Sequence, residues 1–132
     1  MSSRGLRNNN PGNIRLSGVK YVGEKTPSTD RAFKQFRTMA YGYRAMFVIL
    51  RTYYNRYHLR TISSMIRRWA PESENDTRAY INHVAAWSGI GVADVVDIKN
   101  REQMCAIVAA MSRMENGTRA DMKEVQSGWE LL

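Results

Sequence analysis

Carboxylates are the side chains of this sequence that are best suited to catalysis. The chain has no Gly-rich phosphate loop, no pair of cysteines and no His-Glu-x-x-His or Gly-x-Ser-x-Gly motif. Its two histidines, His58 and His83, have no nucleophile near them in sequence. Cleavage of a glycosidic bond, by contrast, requires a carboxylic acid that protonates the leaving oxygen, with help from a second carboxylate or from the substrate itself.

Glu115 fits the role of this acid better than the other carboxylates. It lies at the carboxyl end of a strongly apolar helical pattern, where the helix dipole and apolar neighbours favour the protonated group. Arg113 and Arg119 oppose that effect. An exposed glutamate that merely precedes a glycine cap is the alternative interpretation. Glu24 and Asp30 lie in a polar loop, where they are either functional or only solubilising.

Four asparagines within six residues mark the segment 7–15. Asparagine competes for nearby backbone groups, Pro11 removes a donor and Gly12 permits positive φ, so this segment is predicted to be a built loop. Its amides can offer directed donors and acceptors to a ligand rich in hydroxyl and acetamido groups. A plain solvated turn is an equally good interpretation of these residues alone.

A small hairpin and a series of helices must position these groups, which predicts an α+β, mainly α fold. Segments 19–22 and 33–36 have the pattern of antiparallel strands joined by a long loop. Afterwards apolar residues recur at three- and four-residue steps, as in helices. The first predicted helices are a long one from Ala40 through Tyr57, one over 59–69 before Pro71, and one from Asn75 or Asp76 to Gly89. A brief helical turn is predicted at 92–98, followed by a central helix that begins at an Asn100–Gln103 capping box and ends at Gly117. In a last helix over 121–129, Met122, Val125 and Trp129 are expected to cover the core.

Length and composition predict one globular domain over residues 1–132, with residues 1–5 disordered. The net charge of +8 favours an anionic partner: nucleic acid, an acidic surface, or a wall polymer with carboxylates and phosphates. No nucleic-acid-binding motif is visible. With neither a leader nor a long apolar run, we expect no signal peptide and no membrane span.

Metal and redox chemistry find little support in the sequence. Glu72, Glu74 and Asp76 lie near His83, but their place at a helix start explains these acids through the helix dipole. We therefore expect no metal and no cofactor. The single Cys105 excludes an internal disulfide and suggests a small core residue.

Four segments together are similar to a known family. They are Arg4-Gly5-Leu6-Arg7-Asn8-Asn9-Asn10-Pro11-Gly12-Asn13-Ile14-Arg15, Phe33-Lys34-Gln35-Phe36, Tyr41-Gly42-Tyr43-Arg44-Ala45 and Arg68-Trp69-Ala70-Pro71-Glu72-Ser73-Glu74-Asn75-Asp76-Thr77. They resemble phage and prophage virion proteins often labelled structural protein P5, in the form found in Bacteroides-type bacteria. The resemblance covers nearly the full length and implies a lysozyme-like domain that acts on peptidoglycan.

A second resemblance concerns the segment 106–117, which is similar to the catalytic-glutamate helix of lytic transglycosylases. That helix ends in Glu-Ser-Gly, whereas this chain has Glu-Asn-Gly. In the related bacterial glucosaminidases the helix comes first, followed by an Asn-Asn-rich segment, a hairpin, an aromatic-rich helix and a helical tyrosine. Here the same parts follow in that order but the glutamate helix comes last, which implies a circularly permuted lysozyme-like fold.

The resemblance also implies roles for individual residues. Glu115 is the general acid, and either Glu24 or Asp30 is the base that activates water in an inverting hydrolase. If neither approaches Glu115, a transglycosylase that uses the sugar's own hydroxyl is favoured. The implied substrate-binding residues are Asn9, Asn10, Asn13 and Tyr80.

The leading hypothesis is therefore an enzyme that cleaves peptidoglycan glycan strands, of the lytic transglycosylase or muramidase/glucosaminidase type. Its expected partners are those strands and other virion proteins. Its expected location is the virion, or the bacterial cytoplasm before lysis or injection. The alternatives are a non-catalytic virion or wall-binding protein with the same fold and, on charge alone, a DNA-binding phage protein.

Overall fold

The computed structural model describes residues 2–132, and the chain is mainly helical with one small antiparallel sheet. This confirms the α+β, mainly α prediction. Of the segment 1–5, which was expected to be disordered, Ser3 is the N-cap of the first helix and Gly5 is buried, while Met1 lies outside the described residues. The elements are α1 (Arg4–Arg7), β1 (Glu24–Lys25), β2 (Gln35–Phe36), α2 (Met39–Arg56), α3 (Ile62–Trp69), α4 (Thr77–Ser88), α5 (Arg101–Asn116) and α6 (Met122–Glu130).

The hairpin pairs β1 with β2, with Glu24 opposite Phe36 and Lys25 opposite Gln35. The predicted first strand at 19–22 was wrong, since Val19 and Val22 are each 55% exposed and lie outside the sheet. The reason is the fully buried Lys34, whose ammonium takes the Val19 carbonyl as an acceptor at 2.7 Å. The Val19 carbonyl therefore accepts from a buried ammonium group and does not take part in strand pairing.

Helix α5 is the centre of the molecule, as its apolar stripe predicted. It packs against α1, α2, α4 and α6, and its buried residues include Cys105. Asn100 caps its start by accepting from the Gln103 N–H, although the Gln103 side chain binds the Asp97 N–H and leaves the predicted box half made. Gly117, at φ 70°, ends α5 in the left-handed region that glycine adopts without strain.

Two further predictions about the second half of the chain were wrong. Segment 92–98 is not helical, because Val95 forms an isolated bridge with Thr61 and the Val96 N–H donates to the Arg60 carbonyl. In α6, Val125 is buried as predicted, but Met122 is 41% exposed because it stands in the first turn beyond the edge of the core. Across residues 2–132, none of the helices has the length and apolar character needed to span a bilayer.

Candidate active-site cleft

A cleft of about 420 Å³ opens where the carboxyl end of α5 meets the asparagine-rich segment. Its walls come from parts of the chain that are far apart in sequence: segment 12–15, the hairpin, α2, the end of α3 and the loop before α4. Such a volume is typical of a small-ligand site. The lining residues are Gly12, Asn13, Ile14, Arg15, Phe33, Ile49, Tyr53, Trp69, Ala70, Glu74, Asn75 and Glu115.

Glu115 lies in this cleft, half-buried, with both carboxyl oxygens in hydrogen bonds. The Tyr80 hydroxyl donates to Oε2 at 2.9 Å, and the Asn13 Nδ2 donates to Oε1 at 3.0 Å. Burial raises the pKa of Tyr80 well above its ordinary value, and the neighbouring Glu115 carboxylate raises it further. Tyr80 therefore remains a hydrogen-bond donor at any physiological pH, and the structure brings three of the predicted site residues together.

Asn10 and Asn9, also predicted to bind substrate, lie outside the cleft lining. Asn10 is fully buried; its Nδ2 donates to the carbonyls of Ile14 and Lys34, and its Oδ1 accepts from the Ile14 N–H, each at 2.9 Å. The Asn9 Nδ2 donates to the Phe36 carbonyl at 3.2 Å. Their amides add to the backbone bonds between the loop and the hairpin, in which the Lys34 and Phe36 N–H groups donate to the Ile14 and Asn8 carbonyls. This framework sets the position from which Asn13 reaches Glu115.

Asn116 is a positioning residue that sequence reasoning missed. Its Nδ2 donates to the Pro11 carbonyl at 2.8 Å and to the Ser112 carbonyl at 2.9 Å, while its Oδ1 accepts from the Ser3 hydroxyl at 2.6 Å. The last turn of α5 is thereby tied to the N-cap of α1 and to the middle of the asparagine-rich segment. The available signal was the Asn that stands where the resemblance predicted Ser.

Gly5 allows this close approach of α1 to α5. A Cβ at this position would lie 2.6 Å from the Asn116 Oδ1 and 2.7 Å from the Asn13 Oδ1. The Asn13 Oδ1 is buried and has no hydrogen-bond partner among residues 2–132, so its amide is oriented by its Nδ2 bond to Glu115 and by packing. Only a residue without a side chain fits between the two asparagines.

The structure does not bring Glu24 to the cleft. Its carboxylate forms an ion pair with Lys34 at 3.0 Å, with 5% of the Glu24 and 0% of the Lys34 side chain exposed. The Tyr21 N–H also donates to Glu24 at 3.1 Å. Both carboxylate oxygens are thus occupied in a buried polar cluster inside the hairpin.

Asp30 is likewise held away from Glu115, beside α1. The Arg4 guanidinium binds it with two bonds of 2.7 and 2.8 Å, and the Ala32 N–H and the Asn8 amide donate at 2.9 and 3.0 Å. These donors, the Arg4 guanidinium first, hold the pKa of Asp30 well below its usual range. Neither predicted assisting carboxylate lines the cleft.

Glu74 does line the cleft, although from the sequence it was explained by its place at a helix start. It projects from the loop between α3 and α4, and the Arg15 guanidinium approaches its Oε2 at 3.5 Å. Phe33, Tyr53 and Trp69 supply aromatic surface to the same cleft. The sequence signal for this wall was the segment 68–77, which the family resemblance contained without assigning a role.

Arg113, expected to act on Glu115, is turned to another surface. Its guanidinium stacks on the Trp87 ring at 4.0 Å and lines, with Arg119, a groove between α4, α5 and the start of α6. His83 is exposed, and its Nδ1 lies 2.8 Å from the Ala79 carbonyl. No group of three or more His, Cys, Asp or Glu side chains within residues 2–132 is arranged to hold a metal ion.

Comparison with known proteins finds a relative that matches almost the whole chain. It is Protein P5 of Pseudoalteromonas phage PM2, which is 43% identical over 133 residues; the match covers 98% of this chain and 81% of the relative. No protein-family profile matches the chain. Similarity at this level, across nearly the full length, establishes common ancestry.

Proposed function

The chain belongs to the phage protein P5 family, and within it we propose that this protein cleaves the glycan strands of peptidoglycan, as a glycosidase or lytic transglycosylase. The observation that supports this most is the carboxyl group of Glu115, which faces a cleft between the donors Tyr80 and Asn13. Glu115 is the general acid in this proposal.

The two donors suit an acid that becomes an anion during the reaction. When Glu115 gives its proton to the glycosidic oxygen, its carboxylate develops negative charge. The Tyr80 hydroxyl and the Asn13 amide already point at its two oxygens, so they stabilise that charge without rearrangement. Hydrogen bonds to a charged group contribute about 1.5–3 kcal/mol each.

The cleft walls suit a sugar chain. Phe33, Tyr53 and Trp69 offer flat apolar surfaces for the C–H faces of sugar rings. The Asn75 Nδ2 donates to the Pro71 carbonyl at 3.3 Å, and its second N–H and its Oδ1 are offered to hydroxyl or acetamido groups. The basic protein, with a net charge of +8, is attracted to a wall polymer that carries carboxylates.

The arrangement of the chain agrees with a permuted lysozyme-like domain, which is part of the proposal. Asn13, near the amino end, bonds to Glu115, near the carboxyl end, across 102 positions. In the unpermuted order the glutamate helix leads directly into the Asn-rich segment, so a permutation requires that α5 lies close to the first helix here, and the contacts between α1 and α5 meet this requirement.

The first test is clearing of a suspension of purified peptidoglycan. Glu115→Gln keeps the size of the side chain but cannot donate the proton, and we expect clearing to slow by about 10²–10⁴-fold. Glu72→Gln is the matched control, because Glu72 is exposed, lies outside the cleft lining and pairs with Arg67 at 3.0 Å. Equal clearing by wild type and Glu115→Gln would remove Glu115 from the mechanism.

A non-catalytic virion or wall-binding role is the second candidate, since the relative is a phage protein whose name specifies no reaction. It predicts that the wild type sediments with peptidoglycan and releases nothing soluble. A DNA-binding role predicts instead salt-sensitive binding to DNA and no binding to peptidoglycan.

A further inference from the structure

We propose that Glu74 is the second catalytic carboxylate of the cleft: the base that activates water, so that the reaction is a hydrolysis with inversion. This inference rests on the proposed function and names the group that completes it. A carboxylate in this role must share the cleft with the acid, reach solvent water and be free of the bonds that hold structural acids.

Glu74 shares the cleft with Glu115. Among the described residues that line it, these two supply the carboxyl groups, and they project from different walls: Glu115 from the end of α5 and Glu74 from the loop between α3 and α4. An inverting glycosidase needs its two carboxyl groups on opposite sides of the sugar, about 6.5–9.5 Å apart, with room for a water molecule between base and sugar.

Glu74 is also accessible to water, unlike the two hairpin acids. Its side chain is 51% exposed, and its one ion pair within the described part of the chain is with the Arg15 guanidinium, at 3.5 Å from Oε2. That contact is long for a charge-assisted hydrogen bond and leaves Oε1 available to accept from a water molecule. The side chains of Glu24 and Asp30 are 5% and 9% exposed, each against a cation at 3.0 Å or less.

The two glutamates have environments that suit opposite roles. Glu115 is half-buried between the neutral donors Tyr80 and Asn13, and no Lys or Arg of residues 2–132 forms an ion pair with it. Glu74 stands at the open side beside the cation Arg15. Paired carboxylates in different environments are the usual arrangement by which one serves as acid and the other as base.

The proposed step balances as follows. A water oxygen attacks the anomeric carbon and forms a new C–O bond while Glu74 takes one proton from that water. The bond between the anomeric carbon and the glycosidic oxygen breaks, and Glu115 gives its proton to that oxygen. The product is a reducing sugar of inverted configuration; Glu74 leaves the step protonated and Glu115 ionised, and exchange with solvent restores both.

The test is digestion of purified peptidoglycan in H₂¹⁸O by the full-length wild type and by Glu74→Gln, Glu74→Ala and Glu115→Gln. Mass spectrometry measures the ¹⁸O in the released fragments. We expect reducing ends with one ¹⁸O from the wild type and a loss of about 10²–10⁴-fold in rate for both Glu74 variants. Azide should restore part of the Glu74→Ala rate by taking the place of water, giving a glycosyl azide of inverted configuration.

The control for a general effect on this loop is Glu72→Gln, two positions away, which should stay within about twofold of wild type because its pair with Arg67 is exposed. Two results would overturn the role of Glu74 and leave the proposed function standing. One is a wild-type rate in both Glu74 variants. The other is that the wild type releases anhydro products without ¹⁸O while its activity still requires Glu115. Equal release by wild type and Glu115→Gln, or no release by either, would overturn both.

Discussion

Both the hairpin and the cleft contain carboxylate side chains, but those of the hairpin are bound to cations whereas Glu115 in the cleft is bound to none within residues 2–132. In the hairpin, Glu24 and Asp30 are each bound to a cation, Lys34 or Arg4, and their remaining lone pairs accept from amides. In the cleft, Glu115 accepts from neutral donors and faces open volume. A carboxylate whose hydrogen bonds are all satisfied by the protein holds the fold together, whereas one that faces a cavity is available for a ligand.

The asparagine-rich segment repeats this contrast within a few residues. The amides of Asn9 and Asn10 bind the backbone of the loop and the hairpin, while the amide of Asn13 binds the candidate acid. The loop is therefore a scaffold over most of its length and contributes to the cleft at one end. Changes in the hairpin should thus alter stability, and changes around Glu115 should alter reaction rate.

The largest effect on stability is expected from Glu24→Ala. It leaves the Lys34 ammonium buried without its counter-ion, and breaking a buried pair in this way costs about 3–5 kcal/mol of the free energy of unfolding. Urea unfolding measures this loss. The double variant Glu24→Leu/Lys34→Met, which removes both charges, should be more stable than Glu24→Ala. A Glu24→Ala protein of wild-type stability that no longer cleaves peptidoglycan would reverse the contrast between the two regions.

Tyr80→Phe should act on rate. It removes the hydroxyl that donates to Glu115, a bond of about 1.5–3 kcal/mol, so cleavage should slow by about 10–100-fold. Tyr43→Phe is the matched control, because the Tyr43 hydroxyl lies 3.0 Å from the Ser112 Oγ and has no bond to Glu115. It should lower stability without altering the rate of the folded protein. Equal rates in Tyr80→Phe and wild type would argue against a role for Tyr80 at the acid.

The smallest effect is a pH dependence at Asp30. Its pKa in the folded protein lies below the value of about 3.9 for an unfolded chain. The stabilisation is therefore complete above that value and is lost as the pH falls below it. The difference in urea midpoint between wild type and Asp30→Asn should be larger at pH 7 than at pH 3. A difference that does not change with pH would mean that the Arg4 pair contributes nothing through charge.

Much of the helical architecture could be read from the sequence. The three- and four-residue apolar steps predicted α2 to α6, and glycine in the left-handed region ended α4 and α5 as expected. These signals are local, since each depends on a few neighbouring side chains. The bond between Asn13 and Glu115 is not local, and only the family resemblance suggested it.

The hairpin was less predictable because its inner face contains a charge. In a strand, residues two apart share a face, so Lys34 lies on the same face as the buried Phe36. Proteins rarely bury a lysine side chain, and the pattern of apolar residues therefore gives no sign that Lys34 is buried. Only the tertiary arrangement, which places Glu24 and the Val19 carbonyl around the ammonium, makes this burial possible. The same holds for Glu74, whose loop position gave no sign that it lines the same cleft as Glu115.

The most direct test of the central claim, that Glu115 is the acid of a glycan-cleaving site, is mass spectrometry of the soluble fragments released from purified peptidoglycan. The wild type should release muropeptides whose glycan ends show a cut glycosidic bond, and Glu115→Gln, folded as judged by its circular dichroism, should release about 10²–10⁴-fold less in the same time. Identical fragments in identical amounts from both proteins, or no fragments from the wild type, would contradict the claim.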